Sequence, residues 1–307
     1  MSDAPTPDQR PAVLVNCPIT DASRAALAPH FRLADTAEGA KIRAIISDGP
    51  RIIDKAMMDA LPGLELIIGQ GVGLDAIDLD EARRRGIQVA NGRGTNETSV
   101  ADHALALLLA VVRGVLPGDA LMRARGGEAE GPRVETETIH GKRLGIIGLG
   151  HIGLLIAQRA EAFGMDILYH NRTARADVDY GYYASPLELA EAADHLVLSC
   201  PGGEGTRHLV NQDVLAALGP AGVLVNVARG SVVDTAALVG ALQSGAIGGA
   251  GLDIIEGDGA ALTHMDNVVM TPHLAGNTLE AGAAKDALTL AILIDFFAGR
   301  EIMNRVV

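Results

Sequence analysis

The 307-residue sequence contains no tryptophan, and its four phenylalanines and four tyrosines bring aromatic content to only 3%. A core for a chain of this length must therefore be packed from Ala, Val, Leu and Ile. Cysteine is also scarce. Cys17 and Cys200 are too few for a disulfide framework, and free thiols in so long a chain suit a reducing cytoplasm. Positive charge is short as well: 25 Lys and Arg face 38 Asp and Glu, a formal charge of −13. That field disfavours nucleic acid and anionic membrane surfaces as partners, and any anionic ligand needs a local cationic site acting against it. No stretch reaches the ~18 uninterrupted apolar residues of a membrane span. The polar start, MSDAPTPDQRP, lacks the apolar segment of a signal peptide. No His/Cys cluster has zinc spacing, so no metal is expected.

Glycine is what the chain has in excess. Its 37 glycines are about 12% of the chain, against ~7% in ordinary proteins, with no collagen-like period. Such an excess points to tight strand-to-helix turns and close backbone approaches. Length alone suggests about two domains. Short apolar runs alternate with helix-like runs. Residues 12–16, 42–46, 64–68 and 87–90 read as strands, with helices over 23–28, 53–61 and 79–85. A long apolar helix covers 99–113, nearly hydrophobic all round, and is expected to be buried at a domain junction. A polar loop follows over 126–140. A second series then begins, with strands at 143–147, 166–170, 195–200, 223–227, 249–253 and 268–271. Its helices fall at 154–163, 186–192, 211–218 and 234–244, and a terminal helix runs over 279–297. The alternation predicts two doubly wound, parallel-sheet α/β domains. Residues 1–98 with 280–307 would form one, and 99–279 a dinucleotide-binding domain inserted between them.

The sharpest motif is KRLGIIGLGHIG, which places Gly148, Gly150 and Gly153 in G-x-G-x-x-G spacing after an apolar strand and before an Ala-rich helix. The glycines permit a tight turn, let backbone approach a pyrophosphate and allow close helix–strand packing, with the phosphates at the positive end of the helix. The alternative is an ordinary glycine-rich turn. About 20 residues on, an acidic residue reads the ribose hydroxyls of NAD. Here Asn171 stands at that point, followed by Arg172, Thr173 and Arg175. An arginine can fork onto a 2′-phosphate, so NADP(H) is preferred and NAD(H) remains possible. The alternative reading of both arginines is as solvated loop charges. Further on, Arg229, Asp258 and His273 follow predicted strands, where ligands of open α/β sheets bind.

At these residues the sequence resembles the D-2-hydroxyacid dehydrogenase family. The likeness spans GQGVGLDAID (69–78), TSVADHALALLLAVVR (98–113), GIIGLGHIG (145–153), VLVNVARGSVVD (223–234), GGAGLDIIEGD (248–258) and NVVMTPHLAGNT (267–278). It is nearest to the NADPH-dependent glyoxylate and hydroxypyruvate reductase branch. The resemblance implies a flavodoxin-like substrate domain and a Rossmann cofactor domain. It implies reduction of a small 2-keto acid, with Arg229 clamping the carboxylate and His273 as general acid. Asp258 would be the acidic partner that orients His273. The amides of Val72 and Gly73 would cradle the carboxylate, and Asp253 would fix the nicotinamide carboxamide. Leu149, His151 and Ile152 in the glycine loop would line the cofactor, with Cys200, Pro201, Thr206, Val227, Ala228, Ala275 and Gly276. A domain cleft closing on substrate and a homodimer are implied too. The sequence departs from the family at Asp258, where a Glu is usual and Glu256 is a second candidate. It departs again at Glu128, which stands where the branch carries a Trp, and at Glu97 and Asp102. Two other readings stay open: action on another 2-hydroxy or sugar acid, and a non-catalytic NAD(P)-binding sensor or scaffold.

Overall fold

The structure, a computed structural model, describes residues 10–37, 41–49, 51–128 and 135–307. The tail read over 1–11 and the loop read over 126–140 lie partly outside the described residues. The chain divides into two compact units, Met1–Asn96 with Leu279–Val307, and Glu97–Thr278.

In the first unit, β1 (Ala12–Asn16), β2 (Arg32–Ala34), β3 (Ile42–Ser47), β4 (Leu66–Gly69) and β5 (Gln88–Asn91) form a parallel sheet in the order β2-β1-β3-β4-β5. The central strands are apolar on both faces, as a sheet covered on both sides requires. Ile45, Ile46, Leu66 and Ile67 have no exposed surface. Helices α1 (Asp21–Leu27), α2 (Lys55–Asp59) and α3 (Leu79–Arg85) connect them. Each begins at a side-chain cap, from Thr20, Asp54 and Asp78, that satisfies an otherwise orphaned amide.

The second unit opens with α4 (Glu97–Val112) and α5 (Val115–Ala124). Seven parallel strands follow: β6 (Arg143–Ile147), β7 (Asp166–His170), β8 (Gly181–Tyr183), β9 (His195–Leu198), β10 (Val223–Asn226), β11 (Gly249–Leu252) and β12 (Val268–Met270). Their order is β12-β11-β10-β9-β6-β7-β8. The chain leaves β6 toward β7 on one side and returns to β9 on the other, so the strand order reverses between β6 and β9. Ligands of doubly wound sheets bind at such a point. Helices α6 (His151–Ala162), α7 (Pro186–Ala192), α8 (Gln212–Leu218) and α9 (Thr235–Ser244) cover the sheet. The last helix, α10 (Leu279–Phe297), belongs to the first unit, where Ile292 and Leu293 are fully buried.

Helix α4 lies close against β11 because that strand has glycine where a side chain would intrude. A Cβ on Gly251 would stand 2.8 Å from the Leu107 Cβ, and one on Gly249 2.6 Å from a Val111 methyl. Three elements are not evident from the sequence pattern: β2, β8 and α5. The two strands are three-residue edge strands. Helix α5 holds Pro117 and Gly118 in its first turn, where proline costs no helical hydrogen bond. Among the described residues, no single helix is long and apolar enough to cross a membrane.

Candidate active site

The loops that follow β7, β6, β9, β10, β11 and β12 leave the same edge of the second sheet, side by side. Each carries residues singled out from the sequence. After β6 the three glycines do three different things. Gly148 has φ 100° and a Cβ there would meet the Cys200 backbone at 2.5 Å, so the β6 and β9 loops can touch only without a side chain. A Cβ on Gly153 would strike the Gly148 carbonyl at 2.4 Å, so this glycine seats α6 against its strand. A Cβ on Gly150 would meet nothing within 4 Å. That open position faces the uncapped start of α6, which has no side-chain cap of its own. An anion finds amide donors and the positive end of a twelve-residue helix there. The residues present thus fit a dinucleotide pyrophosphate. Leu149 is buried, Ile152 half-buried and His151 exposed.

The loop after β7 is fastened to the glycine loop. Asn171 Oδ1 accepts the Leu149 amide at 2.8 Å, and its Nδ2 donates to the Leu149 carbonyl at 3.4 Å. Arg175 Nη1 donates to that same carbonyl at 2.9 Å, while its Nε and Nη2 fork onto Asp177 at 2.9 and 2.5 Å. Arg172 and Thr173 are exposed. Beyond β9, Thr206 Oγ1 donates to the Pro201 carbonyl at 2.9 Å and closes that loop. Cys200 is buried, and burial pushes its thiol up to about 11, which makes it an inert packing residue.

The turn after β10 is built around Asn226, which is 1% exposed. Its Oδ1 accepts the Ala228 amide and its Nδ2 donates to the Arg229 carbonyl, both at 3.0 Å. Gly230 lets this turn press onto the neighbouring one, since a Cβ there would lie 2.5 Å from the Glu256 amide nitrogen. Arg229 is thereby held half-buried, with Nη1 donating to the Ala228 carbonyl at 2.7 Å. Val227 and Ala228 are half-buried and buried beside it.

The loop after β12 is organised by Asp253. Its Oδ1 accepts the Thr271 hydroxyl at 2.6 Å and the Leu274 amide at 2.7 Å, and Oδ2 accepts the Ala275 amide at 3.1 Å. Its backbone carbonyl accepts the His273 amide at 2.9 Å. Thr271 spends its one hydrogen on Asp253, so its oxygen must accept from His103 Nε2, which lies 2.9 Å away on α4. His103 is thus a hydrogen-bonded member of the site, where the sequence pattern shows only a histidine in an apolar helix. This chain of bonds holds His273 at φ 55°, a backbone conformation unusual for a non-glycine residue. The His273 side chain is exposed, and Gly276 lies half-buried just beyond.

Asp258 is not brought to His273. Among the described residues, no carboxylate lies within 4.0 Å of the His273 ring. Asp258 Oδ1 instead accepts the Ala260 amide at 2.9 Å, the short local bond that a side chain one methylene shorter than Glu favours. The second candidate, Glu256, pairs with Arg207 at 3.1 Å. In the first unit, Val72 and Gly73 lie in the turn after β4, where the Val72 carbonyl accepts Asn91 Nδ2 at 2.9 Å. Sequence reasoning did not single out Asn226 or Thr271. The available signal was a polar residue closing an otherwise apolar strand.

Residues 105–275 match the family model of the D-isomer specific 2-hydroxyacid dehydrogenase NAD-binding domain. The chain belongs to that family. A glyoxylate/hydroxypyruvate reductase A of Arabidopsis thaliana is 40% identical over 269 residues, covering 87% of this chain and 86% of the relative. A 2-ketogluconate reductase of Gluconobacter oxydans is 40% identical over 270 residues, with the same coverage. Among solved structures, the NADPH-dependent glyoxylate/hydroxypyruvate reductase of Sinorhizobium meliloti, in complex with NADP and malonate, superposes with a TM-score of 0.89. It is 37% identical and covers 97% of each chain. As a D-2-hydroxyacid dehydrogenase, this chain is an NAD(P)-dependent oxidoreductase built from two parallel-sheet α/β domains, with the dinucleotide on its Rossmann half.

Proposed function

We propose that this D-2-hydroxyacid dehydrogenase reduces a small 2-keto acid of the glyoxylate or hydroxypyruvate type, with NADPH as cofactor. The observation that carries the reading is the common sheet edge. Arg229, Asp253 and His273 follow three adjacent strands of the sheet whose β6 loop has the open glycine position. Two strand spacings separate the Arg229 and His273 loops, about 10 Å, the span of a small substrate beside a ring. When bound, the dinucleotide supplies the hydride.

The chain's own residues do the rest. Arg229 binds the substrate carboxylate and draws charge from the keto oxygen. The amides of Val72 and Gly73 are the further carboxylate donors of this reading. His273 gives the proton that the reduced oxygen requires. Asp253 Oδ2 carries one amide and keeps an acceptor site for the nicotinamide carboxamide. Asp258 is the acidic partner of His273 in this reading, which requires its loop to leave the local bond to the Ala260 amide and move inward. Arg172, with Thr173, receives the 2′-phosphate.

Helix α5 supports a homodimer. None of its ten residues is buried, and Val115, Leu116 and Met122 are exposed on it. Isologous pairing of such a face is the commonest route to an oligomer. The two buried free thiols fit residence in the cytoplasm.

The test follows the loss of NADPH absorbance with glyoxylate, hydroxypyruvate and 2-ketogluconate in turn. Turnover of the two small acids with kcat/KM well above that of 2-ketogluconate is expected. Preference for the sugar acid would move the protein to that substrate class. Tight NADPH binding without turnover of any acid would make it a sensor.

A further inference from the structure

The loop after β7 offers two arginines to a 2′-phosphate, yet they are not equivalent. Among the described residues, the Arg172 guanidinium has no hydrogen-bond or ion-pair partner. Arg175 has all three of its nitrogens engaged: Nε and Nη2 on Asp177 and Nη1 on the Leu149 carbonyl. Its own amide donates to the buried Tyr169 hydroxyl at 2.8 Å, and the neighbouring Tyr182 hydroxyl donates to the Asn171 carbonyl at 3.3 Å. Asp177 and Asp179 also cancel the two positive charges of the segment.

We propose that Asp177 is a specificity-setting residue: it holds the Arg175 fork as a strut between the ribose loop and the glycine loop, and leaves 2′-phosphate recognition to Arg172. The inference rests on the reading that the site takes NADPH. A bidentate fork presents one planar pair of donors, and a phosphate and a carboxylate cannot both fill it. With Asp177 in that fork, Arg175 contributes shape to both NAD and NADP and charge to neither. The pair is mutually reinforcing, since the Asp177 contact raises the Arg175 pKa and the Arg175 contact lowers that of Asp177. Asp177 is 67% exposed, so solvent competes and the strut is tunable rather than fixed.

The experiment is equilibrium titration of the full chain with NADP+ and NAD+ by calorimetry, which needs no turnover. Wild type, D177N, D177A, R175M and the R175M/D177N double variant are compared. Freeing the fork in D177N or D177A should raise the preference for NADP+ by about 5-fold, the upper range of an exposed pair with good geometry. R175M should weaken both dinucleotides by the same factor, and D177N should add nothing in the R175M background. If R175M weakens NADP+ alone, Arg175 is itself the phosphate ligand and the proposal fails. If D177N gains as much with R175M as without it, simple charge repulsion explains the gain and the proposal also fails. An unchanged preference in both Asp177 variants overturns it as well. Wild-type protein that does not favour NADP+ strikes the NADPH reading itself, whereas a wild-type preference with inert Asp177 variants strikes only the role of Asp177.

Discussion

Two polar constructions do most of the positioning, and each makes a prediction at the level of one side chain. Thr271 both donates to Asp253 and accepts from His103. Replacing it with Val takes the 2.9 Å acceptor from a half-buried imidazole N–H, leaving it Asp253 Oδ1 at 3.4 Å, and removes a donor from a carboxylate that is 2% exposed. The cost should be about 1–3 kcal/mol of stability, read as a lowered Tm, together with a fall in kcat as the His273 loop loosens. Thr271→Ser keeps both bonds and should restore both readouts; a serine variant as damaged as valine would remove the hydrogen bonds from the explanation. Arg229→Ala should lower kcat/KM for the keto acid by roughly 10- to 100-fold, the worth of charged hydrogen bonds of about 1.5–3 kcal/mol. Calorimetric affinity for the dinucleotide should stay within about 2-fold, because the Nη1 bond lost in the variant is a local one, to the Ala228 carbonyl of its own turn. Arg229→Lys should not rescue it, since a point charge cannot replace the planar fork. Arg229 and His273 were legible as candidates because each stands alone after an apolar strand. Thr271 and His103 were not, because their roles depend on neighbours 18 and 168 residues away in the chain; Asn226 folds back on Ala228 and Arg229, and in the sequence it is only the polar end of an apolar strand.

Among elements, the β6 turn separates structural glycines from a ligand-facing one, although the motif treats them alike. Gly150→Ala should lose less Tm than Gly153→Ala, because its Cβ meets nothing within 4 Å and the only cost is a ψ of −150°, outside the ordinary alanine regions. It should weaken dinucleotide binding, because the methyl occupies the space the pyrophosphate needs. Gly153→Ala should do the reverse in order: loss of stability first, by about 1–3 kcal/mol of overpacking, then loss of binding. Thermal unfolding and titration of the two variants separate the roles, and equal Tm losses would show that Gly150 is structural too. The strand-to-helix alternation is legible because buried parallel strands are near-continuous apolar runs. Three-residue edge strands carry too few residues to show a period, and α5 hides behind a proline and a glycine. The packing of α4 on β11 depends on Gly249 and Gly251, whose meaning appears only when the partner helix is in place.

At the scale of the whole molecule, the doubled α/β pattern was visible in the sequence and a homodimer was implied by the family resemblance, while the chain's response to pH was not visible. If α5 pairs with its copy, Leu116→Asp should halve the mass measured by light scattering at micromolar concentration, with secondary structure unchanged. A monomeric wild type would remove that pairing. The pH response centres on His195, at the start of β9 and paired in register with Leu144 and Val223 on its two neighbours. It is 1% exposed, and among the described residues neither ring nitrogen has a hydrogen-bond partner. Burial therefore lowers its pKa, the chief cause, with Lys142 adding to the effect and Asp194 and Glu137 opposing it. The sign follows from linkage. An unfolded His takes up its proton near pH 6.5, whereas the folded one resists until lower pH. Stability is thus intact above about pH 6.5, and this group removes it as pH falls from there toward the depressed folded value, by at most about 1.4 kcal/mol per pH unit. His195→Leu keeps the site apolar and deletes the titration. Denaturant unfolding at pH 7.5, 6.5, 5.5 and 5.0 should show the variant gaining progressively on wild type below about pH 6.5. A gap between the two that stays constant over that range would mean that His195 is not the group that couples this fold to acid.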